Sequence, residues 1–205
     1  LGSSLLFSLL GLTYLLAVVE DKKQHQPGLP VLNAIADFTL TNQAGTVVTL
    51  ADLTNHVWVA DIIFTRCAGP CPRMTRQMKS LSDLIPATRN VRFVTLTTDP
   101  LYDVPAVMAR YADHYQADTN RWMFLTGTKL EIASLAAGSL KLGSQPVPAA
   151  ERKDEFDLFI HTTIFVMVDK HAHLRGIFET GGDGVDWPAV QTRLQAAAAQ
   201  LESEP

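Results

Sequence analysis

The sequence predicts an α/β three-layer sandwich, and three observations point that way. Nearly continuous apolar, β-branched runs at Val57–Thr65 and Val91–Thr97 read as strands buried on both faces, as in a parallel sheet covered by helices. Segments of helical periodicity alternate with these runs, so the crossovers between strands are helical. Toward the C-terminus, Thr162–Asp169 and Leu174–Glu179 are separated only by the turn Lys170–His173, which makes them an antiparallel pair.

Element by element, Leu1–Val19 carries no charge and shows no amphipathic period. As a helix it would reach roughly 28 Å, close to the hydrocarbon thickness of a bilayer. It reads as an uncleaved membrane anchor, a transmembrane helix preceding the fold, with a cleavable signal segment as the alternative. Glu20–Pro30, with two prolines and a glycine, is a tether. The folded domain occupies 31–205. Asp37–Leu40 and Val47–Leu50 flank Asn42-Gln43-Ala44-Gly45 and read as an extra N-terminal hairpin. After the strand at Val57, Met74, Met78, Leu81 and Ile85 put one apolar stripe on a helix from about Pro72 to Ile85. Asp103 as cap and Pro105 in the first turn open a helix to about Tyr115. Arg121–Leu125 is a short strand, Lys129–Leu140 a helix, and Asp186–Leu201 a terminal, alanine-rich helix.

Composition excludes several functions. The 205 residues are 47% hydrophobic and 19% charged, ordinary for a globular chain and far from disorder. A net charge of −4 with no basic stripe argues against nucleic acid as a partner. Two cysteines are too few for a disulfide scaffold.

Those two, Cys67 and Cys71, sit where a buried strand ends and a helix begins, the edge at which ligands of open α/β sheets gather. Residues four apart on a helical segment have Cα atoms about 6 Å apart, which permits either a disulfide or shared coordination of one metal ion. Cys71 at a helix N-terminus should gain thiolate character from the dipole, and Arg66 and Arg73 would push the same way if their guanidinium groups lie near. Three intervening residues, Ala68, Gly69 and Pro70, differ from the two of a thioredoxin-type redox motif. A structural zinc site would need four ligands and a second cysteine pair that the chain lacks.

Phe64-Thr65-Arg66-Cys67 to Cys71-Pro72, followed by Thr97-Thr98-Asp99-Pro100 and His161-Thr162, resembles the Sco/SenC family over nearly the whole domain. The resemblance implies a thioredoxin-like fold, a membrane anchor, an extracytoplasmic (periplasmic or intermembrane) location and a copper cofactor. It also implies a role in assembling the copper site of cytochrome c oxidase, with that oxidase's copper-binding subunit or another copper protein as partner. It implies that Cys67, Cys71 and His161 bind copper, and that Asp99 orients a ligand or meets a partner; otherwise Asp99 caps the next turn. Ala-Gly-Pro between the cysteines and Thr162 after the histidine depart from commoner members without removing a ligand.

Of the other histidines, His25 lies in the tether, His114 on a helix face, and His56 at the far end of the central strand. His171 and His173 form an H-x-H in a solvated turn. His161 directly precedes a strand, where thioredoxins by resemblance carry a proline facing the cysteines. Two soft thiolates and one imidazole suit Cu(I) and leave room for an exchanging partner. Met74 and Met78 read as core filler rather than thioether ligands. The chain is thus expected to be a membrane-anchored copper chaperone, the alternative being a thiol–disulfide reductase whose Cys67 and Cys71 keep a copper protein's cysteines reduced. A peroxidase is disfavoured: Phe64 stands where the peroxiredoxin type places threonine.

Overall fold

In the computed structural model, which describes residues 28–152 and 158–205, the first elements are a two-residue strand β1 (Asn33–Ala34) and the expected hairpin β2 (Thr39–Thr41) and β3 (Val47–Thr49). The Asn42 carboxamide oxygen accepts the N–H groups of Ala44 and Thr46, both at 3.0 Å, and Gly45 takes φ 78°, so the side chain and the glycine together close the turn. The anchor expected at Leu1–Val19 and nearly all of the tether lie outside the described residues. Among the described residues, no helix is long and apolar enough to cross a membrane.

β4 (Val57–Ile63) is followed by α1 (Cys71–Leu84), β5 (Val91–Thr97), α2 (Pro105–His114) and β6 (Trp122–Leu125). β4 is buried at every position, as expected of a nearly all-apolar run flanked by layers on both sides. α3 (Lys129–Ala133) starts at a capping box: Thr128 accepts the Glu131 N–H at 3.2 Å, and Glu131 accepts that of Thr128 at 2.9 Å. The helix expected to continue to Leu140 widens into a π-helical stretch at Ser134–Ser139. There Leu140 N–H reaches the Leu135 carbonyl at 2.9 Å, and the Asn33 amide takes the Ser139 carbonyl at 2.9 Å.

Next come β7 (Ser144–Pro146), β8 (Phe159–His161), β9 (Ile164–Val168), β10 (His173–Glu179) and α4 (Trp187–Ser203). Asp186 caps α4 by accepting the Ala189 N–H at 3.4 Å.

The main sheet has the order β1-β10-β9-β4-β5-β6, with β4, β5 and β6 parallel and β9, β10 and β1 added antiparallel. Alternation along β4 splits the core into two. Val57 and Val59 pack with Met74, Met78 and Leu81 of α1, Met108 of α2 and Leu194 and Leu201 of α4. Trp58, Ala60 and Ile62 face Leu40 and Val48 of the hairpin and Ile132, Leu135 and Leu140 on the opposite layer. The three layers are those the sequence predicts. Met74 and Met78 are wholly buried in the first core, as filler.

Asp103 departs from its expected role. α2 begins at Pro105 behind Val104, with no side-chain cap. Asp103 turns inward instead and is fully buried: it accepts the Thr65 N–H at 3.1 Å, the Thr65 hydroxyl and the Thr97 hydroxyl. Three donors near at hand outbid one exposed cap position, and the side chain thereby ties the loop after β4 to the end of β5.

Candidate metal centre

Because β4 and β5 run parallel, their carboxyl ends open at the same edge, and the chain after β4 is held there by backbone bonds. The Thr98 N–H donates to the Ile63 carbonyl at 2.8 Å, and Cys67 N–H folds back on Phe64 at 3.2 Å. Pro70 ends the loop and starts α1: its carbonyl accepts the N–H groups of Arg73 and Met74 at 3.1 and 3.0 Å. Proline here fixes φ at −74° without removing a helical donor, since the first-turn N–H groups have no partner in any case. Cys71 is the first residue of α1 and buried; Cys67, three residues outside the helix, is half-buried.

His161 arrives from across the fold. It ends β8, and among the described residues β8 pairs only with β7, His161 standing opposite Ser144. The Thr162 N–H donates to the Gly143 carbonyl at 3.0 Å, continuing the pairing to the base of this hairpin. The imidazole Nδ1 donates to the Thr162 carbonyl at 3.0 Å, so Nε2 carries the lone pair, and it lies 3.0 Å from the Cys71 sulfur. The Phe64 ring packs edge-on against both His161 (centroids 6.1 Å apart) and Phe159 (5.3 Å), which fixes the ring plane from the apolar side. The ligand atoms of Cys67, Cys71 and His161 all lie within 4.8 Å of one another.

The two sulfurs are unequal. Cys67 is held well below the usual thiol range, first by the bond from the Cys71 thiol and then by the N–H groups of Cys71 and Gly69, against a burial effect in the opposite sense. The Gly69 N–H sits 3.3 Å from its sulfur. Cys71 is pushed up, first by burial and then by the same bond to Cys67 seen from the donor side. The pair therefore shares one proton, and Cys67 is the thiolate. This reverses the expectation that the helix N-terminus would favour charge on Cys71: burial at that position outweighs the dipole. The arginines are not the cause either. Arg66 pairs with Asp99 at 2.6 Å and stacks on the Tyr102 ring at 4.0 Å. Arg73 lies against Gly181, where an added Cβ would stand 2.1 Å from its guanidinium. Asp99 thus holds Arg66 at the rim with its side chain, while its backbone carbonyl accepts the N–H groups of Tyr102 and Asp103 at 3.0 and 2.8 Å and closes the next turn.

Behind the sulfurs are two buried polar groups that sequence reading misses. Thr75 bonds the Cys71 carbonyl at 3.0 Å and the Tyr111 hydroxyl at 2.8 Å, bracing the first turn of α1. Asp61, wholly buried in the middle of β4, accepts the Thr95 hydroxyl at 2.7 Å, and burial raises its carboxyl to about 7. The one signal for Asp61 was a carboxylate inside an otherwise apolar strand.

The other histidines stay away from the sulfurs. His114 is exposed on α2, its ring edge-on to that of Tyr115. His56 meets Asn90, and His171 and His173 lie at the opposite end of β9. Chemically, two thiolate donors and one pre-oriented imidazole make a three-ligand site for a soft, low-coordinate ion, open toward the half-buried Cys67.

The SCO1/SenC family profile matches residues 29–189 of this chain. A curated relative, the SCO1 protein homolog of Bacillus subtilis, is 33% identical over 141 residues, spanning 68% of this chain and 70% of its own. The structure reported with the identification of a disulfide switch in BsSco, a member of the Sco family of cytochrome c oxidase assembly proteins, aligns at 29% identity and TM-score 0.67, covering 84% of this chain and 98% of that one. Copper-bound ScoI of Bradyrhizobium japonicum shares the fold at TM-score 0.65 and 21% identity, over 80% and 99% of the two chains.

Proposed function

The chain belongs to the SCO1/SenC family, and on that footing we propose that it binds one copper ion through Cys67, Cys71 and His161 and delivers it during assembly of the copper site of cytochrome c oxidase. The observation that carries this reading is the approach of the three ligand atoms to within 4.8 Å. Thiolate and imidazole donors suit Cu(I), and a shell of three leaves a position where a partner's thiolate or thioether can enter and take the ion. Loading displaces the proton that the two sulfurs share, so copper affinity rises with pH. The receiving partner is the copper-binding subunit of the oxidase or another copper protein. Leu1–Val19 tethers the domain to the membrane, on the extracytoplasmic side.

A second reading has its own observation: the thiols are free, one an accessible thiolate and the other buried and protonated. In a thiol–disulfide reductase, the Cys67 thiolate would attack a partner disulfide. Cys71 would then displace the partner's sulfur, passing its proton to the leaving thiolate, so the partner is reduced as Cys67–Cys71 is oxidised. An oxidised pair cannot take copper, so the two activities exclude each other at any moment.

Copper titration of the fully reduced chain, beside His161→Ala, separates them. We expect one equivalent of Cu(I) bound by the natural chain, and affinity falling steeply in His161→Ala while the dithiol potential changes little. Unaltered stoichiometry and affinity in the variant would remove the histidine from the site and favour the reductase.

A further inference from the structure

A cleft of about 430 Å³ opens beside the metal centre, on the face of the sheet opposite α1. Its walls are apolar, built from Ile62, Ile132, Ala136, Leu142 and Phe159, and its polar lining includes Arg66, Lys129 and Arg152 with Asp99 as the one carboxylate among the described residues. Asp99 is already paired with Arg66, so the lining presents an excess of positive charge in a chain whose net charge is −4. Two polar atoms of lining residues, Arg66 Nε and the Thr98 hydroxyl, are buried without a hydrogen-bond partner among the described residues. Such groups cost stability unless something accepts from them. Concave apolar walls with a charged lining mark a contact surface.

The cleft is continuous with the metal centre. Arg66 precedes Cys67, and Phe159 lies two residues before His161, with its ring against the Phe64 ring that also meets the imidazole. A segment seated here would hold its own donors over the accessible face of Cys67.

We infer that this cleft docks the copper-receiving protein by taking up a segment in which a large apolar side chain is flanked by carboxylates. The apolar side chain fills the cavity. One carboxylate meets the Arg66 guanidinium, and the other meets Lys129. That the docked protein is the copper receiver rests on the function proposed above; the chemistry of the segment does not.

The test is an NMR titration of the reduced full-length chain with the blocked peptide Ac-Glu-Leu-Phe-Glu-NH2, beside its charge-reversed counterpart Ac-Lys-Leu-Phe-Lys-NH2. The inference expects saturable shifts at the amides of Arg66, Thr98 and Lys129 for the acidic peptide. Binding should weaken about tenfold for the basic peptide and for Lys129→Glu, as charge complementarity requires. Ala133→Trp, which obstructs the cleft from an exposed lining position of α3, should abolish the shifts. Cu(I) titrated into each variant should give the same stoichiometry as the natural chain. Equal binding of the two peptides, binding that survives Ala133→Trp, or no shifts at millimolar peptide would overturn the inference. Failure of the natural chain to bind Cu(I) would instead overturn the metal reading, leaving peptide shifts to judge the cleft.

Discussion

Histidines flank strand β9 at both ends, and among the described residues only one end brings an imidazole against sulfur. At the start, His161 has its Nδ1 tied to a backbone carbonyl and its Nε2 3.0 Å from a sulfur. At the finish, His171 bonds the carbonyl of Pro205 at 2.8 Å, and His173 lies 3.6 Å from Asp169. Asp169 is itself saturated, accepting the N–H groups of His171 and His173 at 2.9 Å each and Arg175 at 2.7 Å. Arg175 in turn bonds Glu204 at 2.7 Å and the Leu29 carbonyl. The same residue type faces a sulfur at one end and clamps a turn at the other. The deciding factor is what faces the ring's second nitrogen: soft donors brought in by another loop, or hard acceptors already satisfied by their own strand.

The largest effect that sharpens this contrast falls on the sulfurs. Cys67→Ser or Cys71→Ser should lower Cu(I) affinity by several orders of magnitude, read by competition against a chelator; tight binding retained in either variant breaks the distinction between the two ends.

At the finish, truncating Asp169→Ala should cost about 1–3 kcal/mol in denaturant unfolding, since two turn N–H groups lose their acceptor while Arg175 keeps Glu204, with Cu(I) stoichiometry unchanged. Copper affinity falling together with stability would show the two ends to be coupled.

Two buried aspartates should respond to pH in opposite senses. Burial raises Asp61 from the ordinary 3.8 to about 7, with the Thr95 hydroxyl opposing. The folded state then binds the extra proton between those values. The stability Asp61 contributes is therefore complete below about pH 4 and lost as pH rises toward 7, at most about 4 kcal/mol. Asp61→Asn should remove that slope and stabilise the chain at pH 8 by about 1–3 kcal/mol. Asp169 behaves in reverse. Burial pushes its carboxyl up, but Arg175 and the two N–H groups more than offset this, so its pKa is lowered. Its contribution is present above the ordinary carboxylate range and is lost as pH falls through the depressed value. A stability–pH curve with the same slope in Asp61→Asn as in the natural chain would refute the assignment.

The smallest effect is at the turn: His171→Ala with His173→Ala should leave Cu(I) binding untouched and shift stability by no more than about 1 kcal/mol. Lost copper stoichiometry in that double variant would move a ligand to the wrong end of β9.

Much of this was legible in the residues. Val91–Thr97 is a strand to the residue, α1, β6 and α4 begin within one position of their sequence signals, and the cysteine bend falls where a β-to-α junction exposes it. The hairpin β7–β8 that carries His161 was not. Pro146 and Pro148 argue against a strand, and a two-stranded ribbon away from the main sheet has no long apolar run to announce it. Asp103 was misread for a related reason: a helix-cap signal is local, whereas Thr65 and Thr97 compete for the same carboxylate only once the chain is folded. The inverted order of the cysteines also depends on burial, which sequence position alone does not supply.

The central claim, that two sulfurs and one imidazole hold a single soft ion, is tested most directly by the X-ray absorption spectrum of the reduced chain loaded with one equivalent of Cu(I). The account predicts two sulfur neighbours and one nitrogen, with the nitrogen lost in His161→Ala. A shell of sulfur alone in the natural chain, or a spectrum that His161→Ala leaves unchanged, would contradict it.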